Sequence, residues 1–417
     1  MKDKNIVYFL IFTLIFCLSS FIYIFFGGIK QKAITSDAQG YYAYLPAFLI
    51  YKDYDMDKSD IYHPESGSLE FPAIYLNPNT GKHMSKYPIG VSVLLLPFFI
   101  LAHILALVFN FPQTGFSLIY QYVVGLAGLF YLNMGLVFLY KAYNFYYSKK
   151  ATLVTLFSLV FATNLLHYAT FESLMSHVFS LFLISVFLFM LKKWHKQNSV
   201  KNSILLGILV GLIFLVRNLN ILVLFLLLGY INKKNVKRIT YIVVSFLIII
   251  LPQLIYWKFA AGQPLLYSYA GEGFNFLDPR VKGFLLSYRR GLLFWSPIFV
   301  LLVFGLKGLK QKLGNFSYAI FLFLGIFVFI TSSWKEWAYG SGFGNRALID
   351  IYPILGIILA NFFEKLNSNL RLRQAGYILV VLFIVLNLTN MIKYWHGVLP
   401  PDHVTLELYL KNIYKFK

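Results

Sequence analysis

The chain has little cysteine and little charge. Of its 417 residues one is a cysteine, Cys17, and 13% are charged. A single cysteine excludes a disulfide within the chain and a zinc site built from several cysteines. Hydrophobic residues make up 59% of the chain, which is more apolar surface than a soluble domain can bury. Repeated apolar runs of about 20 residues instead predict transmembrane α-helices, because lipid offers no hydrogen-bond partner to a bare peptide group.

Acidic residues are also scarce. The 16 Asp and Glu stand against 37 Lys and Arg, which gives a net charge of +21. The basic residues are divided among short clusters between apolar runs, namely "KAYNFYYSKK", "KKWHKQNSVK", "INKKNVKR", "KGLKQK" and "RLR". This is the positive-inside pattern, which orients membrane spans. We therefore expect membrane lipids as surroundings and no nucleic acid as a partner.

The apolar segments define a topology. They are 5–29, 88–109, 116–140, 150–166, 173–191, 203–217, 219–232, 239–257, 291–306, 316–333, 347–363 and 372–391. If every basic cluster is in the cytoplasm, successive segments cross the membrane in alternating directions from residue 116 onward, but before residue 116 there is one crossing too many. We therefore expect 88–109 to enter and return, or to lie along the outer leaflet, since Pro88 and Pro97 end or kink helices.

The prediction is an all-α polytopic membrane protein with about 11 crossings. Residues 1–392 form a single transmembrane module, which includes a first extracytoplasmic loop over 30–87. Residues 393–417 form a short extracytoplasmic tail, and the amino terminus is inside.

The stretch "AITSDAQGYYAYLP" follows the first apolar run and contains one carboxylate, Asp37. Ser36 and Gln39 have the spacing of a capping box, which predicts a helix start. Tyr41, Tyr42 and the apolar residues after them predict that this helix lies at the membrane interface. Asp37 in its first turn either complements the helix dipole or takes part in chemistry.

The stretch "HYATFESLMSH" contains His167, Glu172 and His177 at intervals of five residues. This is not the three- or four-residue spacing of a metal site on one helix face. Three interpretations remain. The residues are polar side chains at helix ends in the membrane interface, they bind zinc if the chain turns between them, or Glu172 is a second acid near a substrate. Arg217, in "LIFLVRNLNILV", lies between two apolar runs and needs either an ion-pair partner or an anionic ligand.

Two further stretches lie on the same outer side. In "SYRRGLLFWSP", Arg289 and Arg290 match the oxygens of a phosphate, or of lipid headgroups in general. In "SSWKEWAYGSGFGNRALIDIYP", the two tryptophans stack on a sugar ring or belong to the aromatic belt of the membrane. Arg346 and Asp350 are spaced to form a local ion pair.

The chain resembles the GT-C glycosyltransferase fold, in particular protein O-mannosyltransferases and lipid A aminoarabinose transferases. The resemblance covers most of residues 1–360. It is carried by the first span, the outer loop that opens with an acid and a tyrosine-rich helix, and the "KYPIG" turn into a proline-headed apolar segment. Ala38 follows Asp37 where the family often has a second acid, and Tyr87 replaces the first proline of a Lys-Pro-Pro run.

The resemblance implies that a polyprenyl-phosphate-linked sugar is used outside the membrane, with Asp37 as the catalytic base. We expect Glu172 as a second acid. The candidate phosphate- and donor-binding residues are Lys86, Arg217, Arg289, Arg290 and Arg346. The candidate sugar or acceptor contacts are Tyr41, Tyr42, His167, His177, Trp334, Glu336 and Trp337.

No metal or other cofactor is expected. The alternating aspartates of "DYDMD", residues 53–57, follow the interfacial helix and are interpreted as a solvated turn, not as a DxD-type metal motif.

We therefore expect an inverting glycosyltransferase that acts on a lipid, glycan or protein acceptor. It would be a multi-pass protein of a bacterial inner membrane, with its site facing the periplasm. The alternatives are a transporter or flippase of a lipid-linked saccharide and a non-catalytic subunit of envelope assembly. A transporter commonly has internal repeats and broken helices near the midplane, whereas here no repeat stands out and the polar residues cluster at one face.

Overall fold

The computed structural model of the chain describes residues 4–58, 61, 73–269, 272–366 and 370–415. The α-helices are Lys4–Phe26, Asp37–Tyr42, Gly90–Val108, Leu118–Tyr143, Lys149–Phe161, Leu165–Thr170, Ser176–Lys196, Val200–Val216, Ile239–Ala261, Val281–Leu286, Leu292–Trp295, Leu302–Leu306, Leu309–Leu313, Phe316–Ser333, Tyr352–Leu366, Leu370–Trp395 and Leu406–Lys411. The 3-10 helices are Asn218–Gly229, Val236–Arg238, Pro297–Leu301 and Arg346–Ile351, and Pro46–Tyr51 is a π-helix. Strands Ile74–Leu76 and His83–Ser85 form an antiparallel hairpin.

The all-α membrane class is confirmed. Within the described residues, eight helical segments are long and apolar enough to cross a membrane: Lys4–Phe26, Gly90–Val108, Leu118–Tyr143, Ser176–Lys196, Val236–Ala261, Phe316–Ser333, Arg346–Leu366 and Leu370–Trp395. They indicate an integral membrane protein. By length and composition these are eight segments against about 11 predicted crossings, and one of them, Gly90–Val108, was not predicted to cross. Four predicted spans form shorter helices, namely Lys149–Phe161, Val200–Val216, Asn218–Gly229 and Pro297–Leu306.

The segment predicted to enter and return is one continuous helix, Gly90–Val108, with Pro97 inside it. A reversal within this segment is therefore excluded, and Pro97 does not end the helix. Near its beginning, the Ser92 hydroxyl donates to the backbone oxygen of Tyr41. Beyond its other end, Tyr42 donates to the backbone oxygen of Gly115. The beginning of this helix and the loop after it thus both contact the short helix Asp37–Tyr42.

The interior is built by close helix packing. Helix Leu118–Tyr143 packs against Ser176–Lys196, and Val200–Val216 packs against Ile239–Ala261. Buried hydroxyls are satisfied by backbone oxygens of their own helices, as in Thr155 to Ala151 at 2.8 Å and Thr170 to Leu166 at 2.8 Å. This is the arrangement that an apolar environment demands of a hydroxyl group.

The helix after the first apolar run begins at Asp37, but the predicted capping box is wrong. Ser36 has a φ of 50° and its side chain makes no capping hydrogen bond. The helix ends at Tyr42 and is followed by the π-helix Pro46–Tyr51. Tyr41, Tyr42 and Tyr44 are buried, so these tyrosines pack inside the protein instead of forming an exposed interfacial face.

Candidate functional site

A polar cavity of about 360 Å³ lies beside the first short helix. It collects segments that are distant in sequence: helix Asp37–Tyr42, the turn after strand His83–Ser85, the helix break at Arg217, the residues Tyr269 and Glu272, and the loop 334–346. The lining residues are Asp37, Tyr41, Lys86, Tyr87, Arg217, Tyr269, Glu272, Trp334, Lys335, Glu336, Tyr339, Gly340 and Arg346.

Asp37 and Arg346 form the central ion pair. Each is the first residue of a short helix, and the Arg346 guanidinium lies 2.8 Å from Oδ2 of Asp37. Burial raises the pKa of the Asp37 carboxyl, but the Arg346 guanidinium, a hydrogen bond from Tyr87 and the charge of Lys86 outweigh it and hold that pKa below its usual value. Asp37 is therefore a carboxylate at neutral pH, able to accept a proton.

Lys86 is held at the wall of the cavity by a second ion pair. Its Nζ lies 2.6 Å from Glu272 Oε1 and 4.4 Å from the centre of the Tyr269 ring. The backbone nitrogen of Lys86 donates to the backbone oxygen of Ala73 at 2.8 Å. The cation therefore has a fixed place at the start of the "KYPIG" turn.

Gly40 permits the close approach of this turn to the first helix. A Cβ at position 40 would lie 2.8 Å from the Tyr87 ring and 2.9 Å from the backbone oxygen of Ala73. With no side chain there, the Tyr41 and Tyr87 rings pack with their centres 4.1 Å apart, and the Ser85 hydroxyl donates to the Gly40 oxygen at 2.8 Å. Asp37 and Lys86 thereby come to line one cavity.

Arg217 lies at the break between helix Val200–Val216 and the 3-10 helix Asn218–Gly229, where its backbone is extended. Its Nε is 2.8 Å from Asp350, which is completely buried. His177 lies 3.2 Å from Asp350 through Nδ1 and 3.3 Å from Arg217 through Nε2. Because a guanidinium can only donate, Nε2 accepts and Nδ1 carries the proton that binds Asp350.

The structural ion pair considered for Arg217 is therefore present. The predicted local pair between Arg346 and Asp350 is wrong, because each residue has another partner. The two lie on the same short helix, Arg346–Ile351, but Asp350 turns to Arg217 and Arg346 turns to Asp37.

Glu172 and His167 lie outside the lining of this cavity, in a neighbouring cluster in which His167 is buried and Glu172 is partly exposed. The Glu172 carboxylate is 3.8 Å from His167 Nε2, and His167 Nδ1 accepts a hydrogen bond from Trp395 at 2.9 Å. His177 is bound to Asp350 instead. The described residues hold no group of three or more His, Cys, Asp and Glu that could bind a metal ion, so the zinc alternative finds no support in them.

Arg289 and Arg290 bind the tail of the chain. Arg289 makes two parallel hydrogen bonds to Asp402, at 2.9 and 3.0 Å. Arg290 is buried and donates to the backbone oxygens of Gly340, Gly342 and Pro401. Neither arginine lines the polar cavity, although both lie close to the glycine-rich loop that does.

Of the other predicted sugar or acceptor contacts, some line the polar cavity and some lie away from it. Trp334, Glu336 and Tyr41 line the polar cavity. Tyr42 is fully buried against Phe99 and does not line it.

A second cavity, of about 370 Å³, adjoins the first and is mainly apolar. Tyr41, Tyr87, Arg217, Tyr269, Trp334 and Tyr339 line both cavities. Away from these shared residues its walls are formed by the apolar residues Pro88, Val216, Leu219, Ile221, Leu266 and Phe274 and by the polar residues Asn218, Tyr267 and Ser268. An ionic chamber thus leads directly into a mainly apolar groove beside the helix break at Arg217.

Several lining residues were not predicted as site residues. They are Tyr87, Tyr269, Glu272, Lys335, Tyr339 and Gly340. Glu272 could have been found, because it is the single acid in the aromatic stretch "YSYAGEGF". The tyrosines carried no such signal in a chain that contains 31 of them.

No protein-family model matches this chain, and no curated protein matches it. The features that bear on function are the cavity, its ion pairs and the resemblance carried by the short sequence motifs.

Proposed function

We propose that this protein is a glycosyltransferase that moves a sugar from a polyprenyl-phosphate donor to an acceptor at the extracytoplasmic face of the membrane. The observation that carries the proposal is the Asp37 carboxylate, which lines one chamber with Lys86, Arg217 and Arg346. That chamber continues into an apolar groove. A lipid phosphate has the same division into an anionic head and an apolar chain.

The proposal includes the membrane arrangement with 11 crossings. Two observations support it. The beginning of helix Gly90–Val108 and the loop that follows the helix both contact the Asp37–Tyr42 region, as expected of a helix that lies along the outer face. The lysine-rich turns that follow Tyr143, Lys196, Gly229 and Leu306 are all at helix ends opposite to the cavity, as the positive-inside rule requires of cytoplasmic turns.

In the proposed reaction, the acceptor hydroxyl oxygen attacks the anomeric carbon of the donor sugar. The new glycosidic C–O bond forms while the bond from that carbon to the lipid phosphate oxygen breaks, with inversion. The lipid phosphate leaves with the electron pair of the broken bond, and Asp37 accepts the proton of the acceptor hydroxyl. General-base assistance of this kind is worth about 10²–10⁴ in rate.

The residues around Asp37 have separate roles in this proposal. Arg346, Arg217 and Lys86 stabilise the charge that develops on the leaving phosphate. Trp334 and Tyr41 line both cavities, and they would contact the sugar beside the phosphate that links it to the prenyl chain. Glu336 is placed to accept hydrogen bonds from sugar hydroxyls.

Replacement of Asp37 tests the proposal. Asp37→Asn is expected to reduce transfer from a radiolabelled polyprenyl-phosphate sugar by about 10²-fold or more, with donor binding retained. Asp57→Asn is the matched control, because Asp57 lies in the same loop with its side chain 69% exposed. Thermal unfolding of the purified variants establishes that each is folded. Transfer by a folded Asp37→Asn protein at the parent rate would refute the mechanism.

The same assay separates the proposal from its main rival. Sealed vesicles that contain the protein and the labelled donor are expected to yield transferred or hydrolysed sugar. Movement of the intact donor across the bilayer, without cleavage of the sugar–phosphate bond, would instead identify a transporter.

A further inference from the structure

A larger cavity of about 910 Å³ opens next to the proposed catalytic chamber. Trp334 and Lys335 line both of them. The larger cavity is formed by two segments, 275–288 and 333–337, and we call it the outer cavity. A molecule bound in it would lie beside the Asp37 chamber, where the proposed reaction requires an acceptor.

The outer cavity is a built site and not an accidental gap between loops. Its two segments are joined by backbone hydrogen bonds from Asn275 to Ser333 at 2.6 Å and from Arg280 to Ser332 at 2.8 Å. Lys335 donates in turn to the backbone oxygen of Gly273 at 2.9 Å. Such pairing keeps the walls in place before a ligand arrives, which lowers the entropic cost of binding.

The walls combine cations with aromatic rings. Arg280, Lys282 and Lys335 are exposed in the lining, against one acid, Asp278, which pairs with Arg280 at 3.0 Å. The cavity therefore carries an excess of positive charge on a face where the positive-inside rule disfavours it. A ligand of negative charge would compensate that excess.

The rings are Trp334, Trp337 and Tyr288. The Trp337 ring lies against Gly283, where an added Cβ would be 3.2 Å from the indole. Flat apolar faces with a polar edge suit the C–H face of a sugar ring, while the lysines suit carboxylate or phosphate groups attached to it.

We infer that the outer cavity is the acceptor site and that the acceptor is an anionic saccharide, which carries carboxylate or phosphate groups. The inference rests on the proposed glycosyltransferase function and adds the chemical class of the acceptor. The hydroxyl to be glycosylated enters the Asp37 chamber past Trp334 and Lys335, while the charged remainder of the glycan stays against Lys282 and Arg280.

Binding without turnover tests this inference. The full-length protein in detergent is titrated with penta-galacturonate, an anionic oligosaccharide, and with maltopentaose, a neutral one, by calorimetry. The anionic probe is expected to bind, and the double variant Lys282→Gln/Lys335→Gln is expected to weaken it about tenfold, since each removed charge contributes modestly at an exposed site. Lys233→Gln/Lys234→Gln, at the opposite end of the helices, is the matched control and leaves binding unchanged.

Three results would overturn the inference: equal binding of maltopentaose, parent-like affinity in the double variant, or equal binding of an acidic peptide such as poly-glutamate that survives Trp337→Leu. The Asp37→Asn protein is expected to bind penta-galacturonate as the parent does. Loss of transfer in Asp37→Asn and loss of binding in the lysine variant are therefore separate readouts, so the proposed reaction and the proposed acceptor can fail independently.

Discussion

Asp37 and Arg346 are 309 positions apart in the chain and 2.8 Å apart in the structure. Their pairing decides the protonation of the residue on which the proposed reaction depends. A buried carboxyl without a partner would take up a proton, and its pKa would rise. With Arg346 beside it and Lys86 nearby, the pKa of Asp37 is held below its usual value instead.

This pairing predicts the acidic side of the pH–rate profile. A free Asp titrates near pH ~3.9, and the lowered pKa keeps Asp37 ionised further into acid, so the transfer rate should decline only below that range. Arg346→Gln removes the largest influence that lowers this pKa, while burial, which raises it, remains. The acidic limb of the profile of that variant is therefore expected to shift to higher pH.

The measurement is the normalised transfer rate against pH, because Arg346→Gln also lowers the absolute rate. Arg371→Gln, an exposed arginine distant from the cavity, serves as the control and keeps the parent profile. An unshifted acidic limb in Arg346→Gln would mean that Asp37 is not the titrating base.

At the scale of single residues, the sequence predicted part of the cavity and missed its pairing. Asp37, Lys86, Arg217, Trp334, Glu336 and Arg346 were expected site residues, and the structure places them in the lining. The partner of each charge was beyond prediction. Spacing suggests local pairs such as Arg346 with Asp350, whereas the formed pairs join segments that only the packing of helices brings together.

At the scale of elements, the cavity is held open by helices that approach one another closely. Gly207 lies where helix Val200–Val216 packs on Ile239–Ala261, and a Cβ there would overlap the Ser245 hydroxyl and the backbone oxygen of Ile242. Because Arg217 is at the end of the first of these helices, a shift of this helix pair would move one of the proposed phosphate ligands.

Gly207→Ala should therefore destabilise the protein by about 1–3 kcal/mol, the usual cost of overpacking a filled interface. It should also raise the KM for the donor. Gly325→Ala is the matched control. It lies within helix Phe316–Ser333 with nothing within 4 Å of an added Cβ, so the better helix propensity of alanine, up to about 1 kcal/mol, should leave stability equal or higher.

Thermal unfolding of the two purified variants in one detergent gives the comparison. Equal melting temperatures for Gly207→Ala and the parent would show that the two helices can separate without loss, and that their contact does not position Arg217.

The carboxyl-terminal tail is a second element that supports the site. The Asp402 carboxylate accepts two hydrogen bonds from the Arg289 guanidinium, and the backbone nitrogen of Gly342 donates to the backbone oxygen of Pro401 at 3.0 Å. Burial raises the pKa of Asp402, but Arg289 and Arg290 outweigh it and lower that pKa. The tail thus contacts the glycine-rich loop that leads to Arg346. The sequence predicted a short separate tail and gave no sign of this contact.

At the scale of the whole molecule, the membrane topology can be mapped by labelling introduced cysteines, since the single native cysteine, Cys17, is fully buried. We predict that Asp57→Cys and Gln113→Cys react with a membrane-impermeant maleimide in intact cells. Lys234→Cys should react only after permeabilisation, because it lies in a lysine-rich turn opposite to the cavity. Parent protein, with Cys17 alone, is the control.

Gln113 is the informative position, because it follows helix Gly90–Val108. Labelling from outside would place both ends of that helix on the outer face and support 11 crossings. Labelling of Gln113→Cys only after permeabilisation would mean that the helix crosses, and would reverse the orientation proposed for the helices that follow.

The sequence alone determined the environment of this protein and its class. A composition with few charges and many apolar runs indicates a helical membrane protein. In lipid every backbone N–H and C=O needs a partner within the protein, whatever the order of the residues. The charged candidate residues could also be identified from the sequence. A charge next to an apolar span is costly, so such a residue is usually retained for a partner or a ligand.

Only the tertiary structure decided which of those residues meet. The hairpin within the first loop, the break at Arg217 and the short helix Arg346–Ile351 come together through close packing at positions such as Gly40 and Gly207. Such packing depends on shape complementarity between distant segments, and local sequence carries no record of it. The separation of an ionic chamber, an apolar groove and the outer cavity follows from that packing.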